Sequence, residues 1–255
     1  RRAPRGAVLL AAGRGSRLGS LTAKTHKSLL PVAGKPALGY AVEAMLERGV
    51  QDVVVVTGDK AESIEAYLAP RFGERVRLAH NARFAEDTNI LSTEIGVEAL
   101  KDPLAGYLVV ETDLVIEPAG WRAILDLPNL ERSFWVTRGI YHEGLTGGAL
   151  DAEASGAVRE IVYAPAFEER YRGWHKLLGI VYVGSEIAAR DRELRQRAVA
   201  RTIAQYYMMP WVEHLEQLPC SVLALGEDVY AASFNDLEAY RETGRRFEQI
   251  VGVSG

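Results

Sequence analysis

The stretch LLAAGRGSRLG, residues 9–19, decides the fold. It continues from Ala7 and Val8, so a short, fully apolar run ends abruptly in glycine. A buried parallel strand reads this way when it delivers a loop to the carboxyl edge of a sheet. Gly13 and Gly15 allow the backbone to approach a ligand closely, and successive unpaired N–H groups in such a loop form an anion nest. The candidate contacts are Ala11, Ala12, Gly13, Arg14, Gly15 and Ser16, and a triphosphate is the natural occupant. Two other glycine-rich loops fit less well. A dinucleotide fingerprint needs G-x-G-x-x-G and an acid about 20 residues later, whereas here the third glycine comes one place too late. A P-loop needs G-x-x-x-x-G-K-[ST], which no stretch supplies.

Outward from the loop, strands and helices alternate. Leu38, Ala41, Val42, Met45 and Leu46 mark one helical face closed by Gly49, and residues 53–56 form the next apolar strand before Thr57-Gly58-Asp59. A helix over 61–68, a strand over 75–79, a helix from Asn89 with Leu91, Ile95 and Ala99 in register, and a strand over 107–110 follow. This order predicts an α/β fold with a Rossmann-like, mostly parallel (mixed) sheet covered by helices on both faces, and ligands at the carboxyl ends of the strands. From residue 138 to 210 the rhythm changes, with strands at 149–150, 158–163 and 177–183, and a small antiparallel insert on the acceptor side is expected. A strand over 221–225 and a helix over 235–250 close a single domain, with residues 1–6 set aside as a terminal linker. That linker leaves open a fusion to another domain in a longer chain.

The 255 residues, 48% hydrophobic and 25% charged, are ordinary for a soluble globular domain. A net charge of −4 argues against duplex nucleic acid as a partner, which demands a basic stripe. The single cysteine, Cys220, makes no internal disulfide, and no run of about 18 apolar residues marks a membrane span. A cytoplasmic setting is the expectation.

The loop runs on through Thr22, Thr25, Lys27, Leu29-Leu30-Pro31-Val32 and Gly34-Lys35-Pro36. As a whole this run resembles the signature of the sugar-phosphate nucleotidyltransferase superfamily, a glycine-rich loop followed by Lys-x-Leu-h-x-Val-x-Gly-Lys-Pro. The resemblance implies that the loop backbone and Arg17 hold the β- and γ-phosphates and that Lys27 lies on the phosphate under attack, making Arg17 and Lys27 the candidate catalytic residues. The chemistry is consistent with that: displacement at the α-phosphorus spreads negative charge, and fixed cations and N–H donors stabilise it most in the transition state. His26 stands where the family usually has proline, and it reads as a packed or solvated residue rather than a catalytic one.

A second set, Asn81, Phe84-Ala85, Asn89-Ile90-Leu91-Ser92 and Val110-Glu111-Thr112-Asp113, is similar to the small bacterial cytidylyltransferases that act on phosphocholine or phosphonates. It implies CTP as donor, with Asn81, Asn89 and Ser92 near the base and ribose, Asp113 as the ligand of Mg²⁺, and Glu111 in place of the first acid on the acceptor side. Carboxylate oxygen is what Mg²⁺ requires. Capping roles remain open for Asn89, Ser92 and Asp113. The chain departs from the family at Ala231-Ala232-Ser233, where Glu-Ile-Asp usually supplies a second metal carboxylate, and Glu227, Asp228 or Asp236 are candidates to compensate.

For the acceptor, a small phosphorylated or phosphonylated molecule, two sets of side chains compete. Trp174 with the nearby tyrosines offers a cation–π cage for a quaternary ammonium, or serves as core. Arg138, Arg159, Arg170, Arg172, His175 and Lys176 offer a clamp for a dianion, Lys176 being favoured because it directly precedes an apolar strand. Cytidylyl transfer with release of pyrophosphate is the expected activity. A uridylyl or guanylyl transferase for a sugar or cyclitol phosphate, and a catalytically silent nucleotide-binding module, are the alternatives.

Overall fold

The computed structural model describes residues 2–252; Arg1 of the expected terminal linker and residues 253–255 at the end of the expected domain lie outside the described residues. The first half alternates strand and helix as read from the sequence. β1 (Gly6–Ala11) leads through the glycine-rich loop and a small hairpin of β2 (Pro31–Val32) and β3 (Lys35–Pro36) to α1 (Ala37–Glu47). Then come β4 (Asp52–Thr57), α2 (Ala61–Phe72), β5 (Val76–His80), α3 (Ile90–Glu98), β6 (Tyr107–Glu111), β7 (Leu114–Ile116) and α4 (Pro118–Leu125). The second half holds β8 (Ser133–Ile140), β9 (Gly147–Ala152), β10 (Val158–Ala164), β11 (His175–Val183), α5 (Ala188–Arg201), α6 (Met209–Glu213), β12 (Cys220–Leu225), β13 (Ala231–Ser233) and α7 (Leu237–Gly252).

Nine strands form one mixed sheet in the order β10-β9-β11-β6-β1-β4-β5, with β8 paired to β11 and β12 paired to β8. β6, β1, β4 and β5 are parallel, and β11 joins β6 antiparallel. Period-two alternation divides the core. Ala7, Leu9 and Ala11 face the layer of α1, α2 and α4, whereas Val8 and Leu10 face the layer of α3, α5 and α6. Each fully buried Val or Leu contributes about 1.5–3 kcal/mol relative to exposure, so strands buried on both faces read as unbroken apolar runs.

The antiparallel strands expected within residues 138–210 are present, but they extend the main sheet and β11 sits near its middle. The same segment contains a 14-residue helix, α5, that the sequence reading did not anticipate. Residues 2–6, set aside as a linker, are tied to the domain: Arg2 exchanges backbone hydrogen bonds with Leu127, and Gly6 already belongs to β1.

Two close approaches in the sheet layers require glycine. A Cβ at Gly96 would lie 2.3 Å from Val8 Cγ1 and 2.7 Å from Val56 Cγ2, so glycine lets α3 settle onto β1 and β4. Gly96→Ala is expected to cost about 1–3 kcal/mol by overpacking, read as a lowered urea midpoint; unchanged stability would contradict this packing. At Gly179, φ is +89° and a Cβ would meet the Glu111 carboxyl at 2.9 Å. The pairing of β11 with β8 shifts register across this point, so a bulge makes room for an acid at the end of β6.

Candidate active site

A cleft of about 730 Å³ opens at the carboxyl ends of β1 and β6. One wall comes from the glycine-rich loop, where Ala12, Gly13 and Arg17 line the cleft. Gly15, with φ +62°, turns the chain into a short 3₁₀ segment, and Thr22 Oγ donates to the Gly15 carbonyl at 3.0 Å. Ala11 is fully buried in β1, while Arg14 stands over the Phe84 ring at 6.0 Å. Ala11, Arg14, Gly15 and Ser16 form or brace the loop without lining the cleft.

Lys27 reaches the cleft from the turn that follows. Its Nζ lies 2.7 Å from Asp113 Oδ2 and donates to Asn235 Oδ1 at 3.2 Å, which leaves the third ammonium N–H free. Beside it, His26 is buried; its Nδ1 accepts from the Ser28 backbone N–H at 3.2 Å and lies 2.8 Å from Ser28 Oγ. Burial, reinforced by the charge of Lys27, lowers the imidazole to about 4, so His26 is neutral at physiological pH and acts as the cap of the turn that carries Lys27.

The floor is the Glu111-Thr112-Asp113 segment. Thr112 Oγ donates to the Leu10 carbonyl at 2.8 Å, locking the ends of β1 and β6 together. Burial and then the charge of Asp113 push the Glu111 carboxyl up to about 8, against the opposing pull of Lys27 and Lys176. Lys176 lines the opposite side, its Nζ donating to the carbonyls of Gly148 and Leu177 at 3.1 and 3.2 Å, and burial lowers its pKa.

Asp113 Oδ1 is buried and has no hydrogen-bond partner. An unpartnered carboxylate oxygen in a polar cleft fits a hard divalent cation, with Asn235 Oδ1 as a neighbouring oxygen donor. Among the described residues no three His, Cys, Asp or Glu side chains gather into a ready-made cage, so a bound Mg²⁺ would complete its shell with phosphate oxygens and water. Ser233, where the resembled family carries its second acid, pairs with Leu114 across β13 and β7 and lines the cleft. Of the compensating acids, Asp236 lines the cleft but caps α7 by accepting from the Ala239 N–H at 2.8 Å; Glu227 and Asp228 do not line it. Ser233→Asp is expected to tighten Mg²⁺ binding by the nucleotide-free protein roughly tenfold, since added ligand charge raises affinity. Calorimetry with Mg²⁺ alone checks this, and an unchanged affinity would place Ser233 away from the metal.

The third wall is the start of α3. Asp87, which the sequence analysis does not single out, organises it. Asp87 Oδ2 accepts from Asn81 Nδ2 at 2.9 Å, Ser92 N at 2.8 Å and Ser92 Oγ at 2.7 Å, while Oδ1 accepts from Leu91 N at 3.0 Å. Asn81 also donates to Ser92 Oγ at 2.9 Å. Asn81 itself is fully buried and reaches the cleft only through Asp87 and Ser92. Asn89 does not cap α3 with its side chain; its Oδ1 accepts from the Tyr207 N–H at 2.7 Å and fixes the Tyr206-Tyr207 segment along the cleft. In sequence, Asp87 shows only as an acid two residues before Asn89 and the start of α3, a pattern that a capping acid shares.

Trp174 is not part of the cleft lining. It packs on Tyr171, ring centroids 4.8 Å apart, in a satellite cluster beyond β9 and β10, so the expected acceptor contact is not made there. Arg159, Arg170 and Arg172 are engaged with Asp151, Glu168 and Glu169 on the surface. Lys176, Glu111 and the tyrosines 163, 206 and 207 line the cleft together.

A sequence profile of the MobA-like NTP transferase domain matches residues 7–137. The choline-phosphate cytidylyltransferase of Streptococcus pneumoniae is 35% identical over 107 residues, which are 42% of this chain and 44% of that protein. The CMP-5'-(3-aminopropyl)phosphonate synthase of Streptomyces rubellomurinus is 30% identical over 157 residues, 61% of this chain and 24% of that protein. The chain thus spans less than half the length of these relatives. The solved CTP:phosphocholine cytidylyltransferase from Streptococcus pneumoniae superposes with a TM-score of 0.77 at 23% identity, covering 97% of this chain and 99% of that one.

Proposed function

The chain belongs to the MobA-like NTP transferase family, and from that premise we propose that it moves a cytidylyl group from CTP onto a small phosphonate or phosphate monoester and releases pyrophosphate. The observation that carries this reading is the convergence of Lys27, Asp113 and the glycine-rich loop on one cleft. In the proposed complex the loop N–H groups and Arg17 hold the β- and γ-phosphates, and the free N–H of Lys27 meets the α-phosphate. Charge that develops on the α-phosphate oxygens is stabilised there by groups already in place. Mg²⁺ at Asp113 would add Lewis-acid neutralisation of the triphosphate. Lys176 holds the acceptor's anion so that its oxygen faces the α-phosphorus.

Base choice follows from hydrogen-bond polarity. Both N–H groups of Asn81 and the O–H of Ser92 are spent inside the Asp87 cluster. A carboxylate has no donor, so what the cluster turns toward the cleft is acceptors alone. Acceptors suit the amino edge of cytosine and leave the carbonyl of uracil facing a lone pair, while a pocket lined by the glycine-rich loop rejects purines by size. Ser92→Ala is expected to raise KM for CTP about tenfold and to shrink the preference over UTP, because it removes one acceptor and releases an Asn81 N–H as a donor. Steady-state kinetics with both nucleotides checks this; an unchanged CTP/UTP ratio would remove the cluster from base recognition. Among the described residues no helix is long and apolar enough to cross a membrane.

A further inference from the structure

His26 does not line the cleft, yet it is 1% exposed and carries a ring nitrogen, Nε2, that no hydrogen bond satisfies. The backbone there has φ −69° and ψ 146°, which a proline would adopt as readily. A proline would bring neither of the contacts that the histidine makes. The His26 N–H donates to Ser63 Oγ at 3.4 Å, in the first turn of α2, and Nδ1 accepts from the Ser28 N–H at 3.2 Å. An Nδ1 that accepts from a backbone N–H carries no proton, so the one proton of the neutral ring sits on Nε2.

That buried donor faces the rear of the glycine-rich loop. Burial and then the Lys27 charge lower the imidazole, while the Gly13 backbone acts in the opposite direction, as a carbonyl facing an N–H does. On its other side Gly13 lines the cleft, and a Cβ there would meet nothing within 4 Å. Two residues on, a Cβ at Gly15 would lie 3.1 Å from Lys27 Cβ. Consecutive residues His26 and Lys27 therefore lie against Gly13 and Gly15. The turn after β4 joins the same junction: the Asp59 N–H donates to the Ala12 carbonyl at 3.2 Å, and Ser63 Oγ donates to the Lys60 carbonyl at 2.7 Å.

The Gly13–Arg14 peptide is trans, as are all the described peptides, so its C=O and N–H point in opposite directions. A carbonyl drawn back to His26 turns the Arg14 N–H forward, and successive N–H groups on one side of a loop make an anion nest. We propose that His26 is a positioning residue whose Nε2–H closes onto the Gly13 carbonyl when the loop takes up a triphosphate, turning the Arg14 N–H toward the phosphates and fixing the loop's distance from Lys27. This rests on the cytidylyl-transfer reading above. Transfer needs the pyrophosphate portion and the α-phosphorus held in one register, and a misplacement of about 1 Å at a reacting centre costs about 10²-fold.

Two substitutions separate this brace from the cap on the turn. His26→Asn sets a carbonyl oxygen near the place of Nδ1 and keeps the cap, whereas His26→Gln sets an amide N–H near the place of Nε2 and keeps the donor. Calorimetry with CTP and Mg²⁺ should show His26→Asn binding about tenfold more weakly than wild type and His26→Gln within about threefold of it. Thermal melting should show the reverse order, with the larger loss in His26→Gln. Unchanged CTP affinity in His26→Asn, or His26→Gln as the equal or weaker binder, leaves His26 as a cap alone and overturns the proposal. In wild-type protein carrying ¹⁵N-labelled histidine, saturating CTP should move the His26 Nε2–H proton downfield and slow its exchange with water. No response of that proton overturns the proposal whether or not the variants fold. Wild-type protein that binds CTP yet fails these comparisons loses only the brace; wild-type protein that binds none of CTP, UTP, ATP and GTP loses the transfer reading and the brace with it.

Discussion

Replacing Lys27 by alanine is expected to lower kcat for cytidylyl transfer by about 10²–10³-fold or more, the range found when a preorganised charge-stabilising donor is removed from a reacting centre. The ammonium is already placed: Asp113 Oδ2 at 2.7 Å and Asn235 Oδ1 at 3.2 Å fix its position before nucleotide arrives. On the role proposed for Lys27, stabilising charge that grows toward the transition state, KM for CTP should change far less than kcat. The fold should persist, since the side chain ends in an open cleft rather than in the core; circular dichroism and the melting curve check that. Near-wild-type turnover in a folded Lys27→Ala protein would remove Lys27 from the chemistry.

Asp113→Asn should be comparably damaging, for a different reason. It removes the anion at which Mg²⁺ would bind and also the partner that steers Lys27. Turnover should fall by orders of magnitude, and the residual rate should respond only weakly to Mg²⁺ concentration. In the wild-type protein without nucleotide, Mg²⁺ would compete with the Lys27 ammonium for Asp113, and among the described residues it would meet no cluster of three acids, so its affinity should be low. The CTP complex should bind it far more tightly, because triphosphate oxygens supply the missing ligands. Paired titrations of Mg²⁺ with and without CTP measure this. Full activity in EDTA, or an Asp113→Asn protein as fast as wild type, would show the metal to be held elsewhere or not at all.

Most of what positions this chemistry was legible in the sequence, because strands buried on both faces leave unbroken apolar runs and loops that bind anions leave glycines. β1, α1, β4, α2, β5, α3 and β6 fall close to the segments that periodicity marked. What escaped is equally instructive. α5 was missed because two positions on its inner face are charged: Asp191 and Arg195 are buried there, paired with each other and with the Tyr107 hydroxyl, and Arg195 also with Glu94, which hides the amphipathic stripe. β8 was missed because Arg138 and Gly139 interrupt its apolar run near the end.

In the cleft, Arg17, Lys27 and Asp113 were readable as charges carried by loops at the ends of apolar strands, and Lys176 as a charge beside an apolar run, although it lies within β11. Asp87 was not, because an acid before a helix looks the same whether it caps or organises a binding wall. Trp174 failed for the converse reason. Aromatic density near an acceptor site says nothing about ring direction, and here Trp174 is committed to Tyr171. The carboxylate absent at Ser233 reads as a lost ligand; Asn235, two residues on, places its amide oxygen on Lys27 and was not legible as a cleft residue.

The most direct test of the central claim is a pyrophosphate-release assay with CTP, UTP, ATP and GTP at equal concentration, each with Mg²⁺ and a panel of small phosphonate, phosphate-monoester and sugar-phosphate acceptors. The account predicts rapid release with CTP and a phosphonate or small phosphate monoester, and at most slow release with the other three nucleotides. Preferential use of GTP, ATP or UTP with a sugar phosphate, or tight CTP binding with no pyrophosphate released under any acceptor, would contradict it.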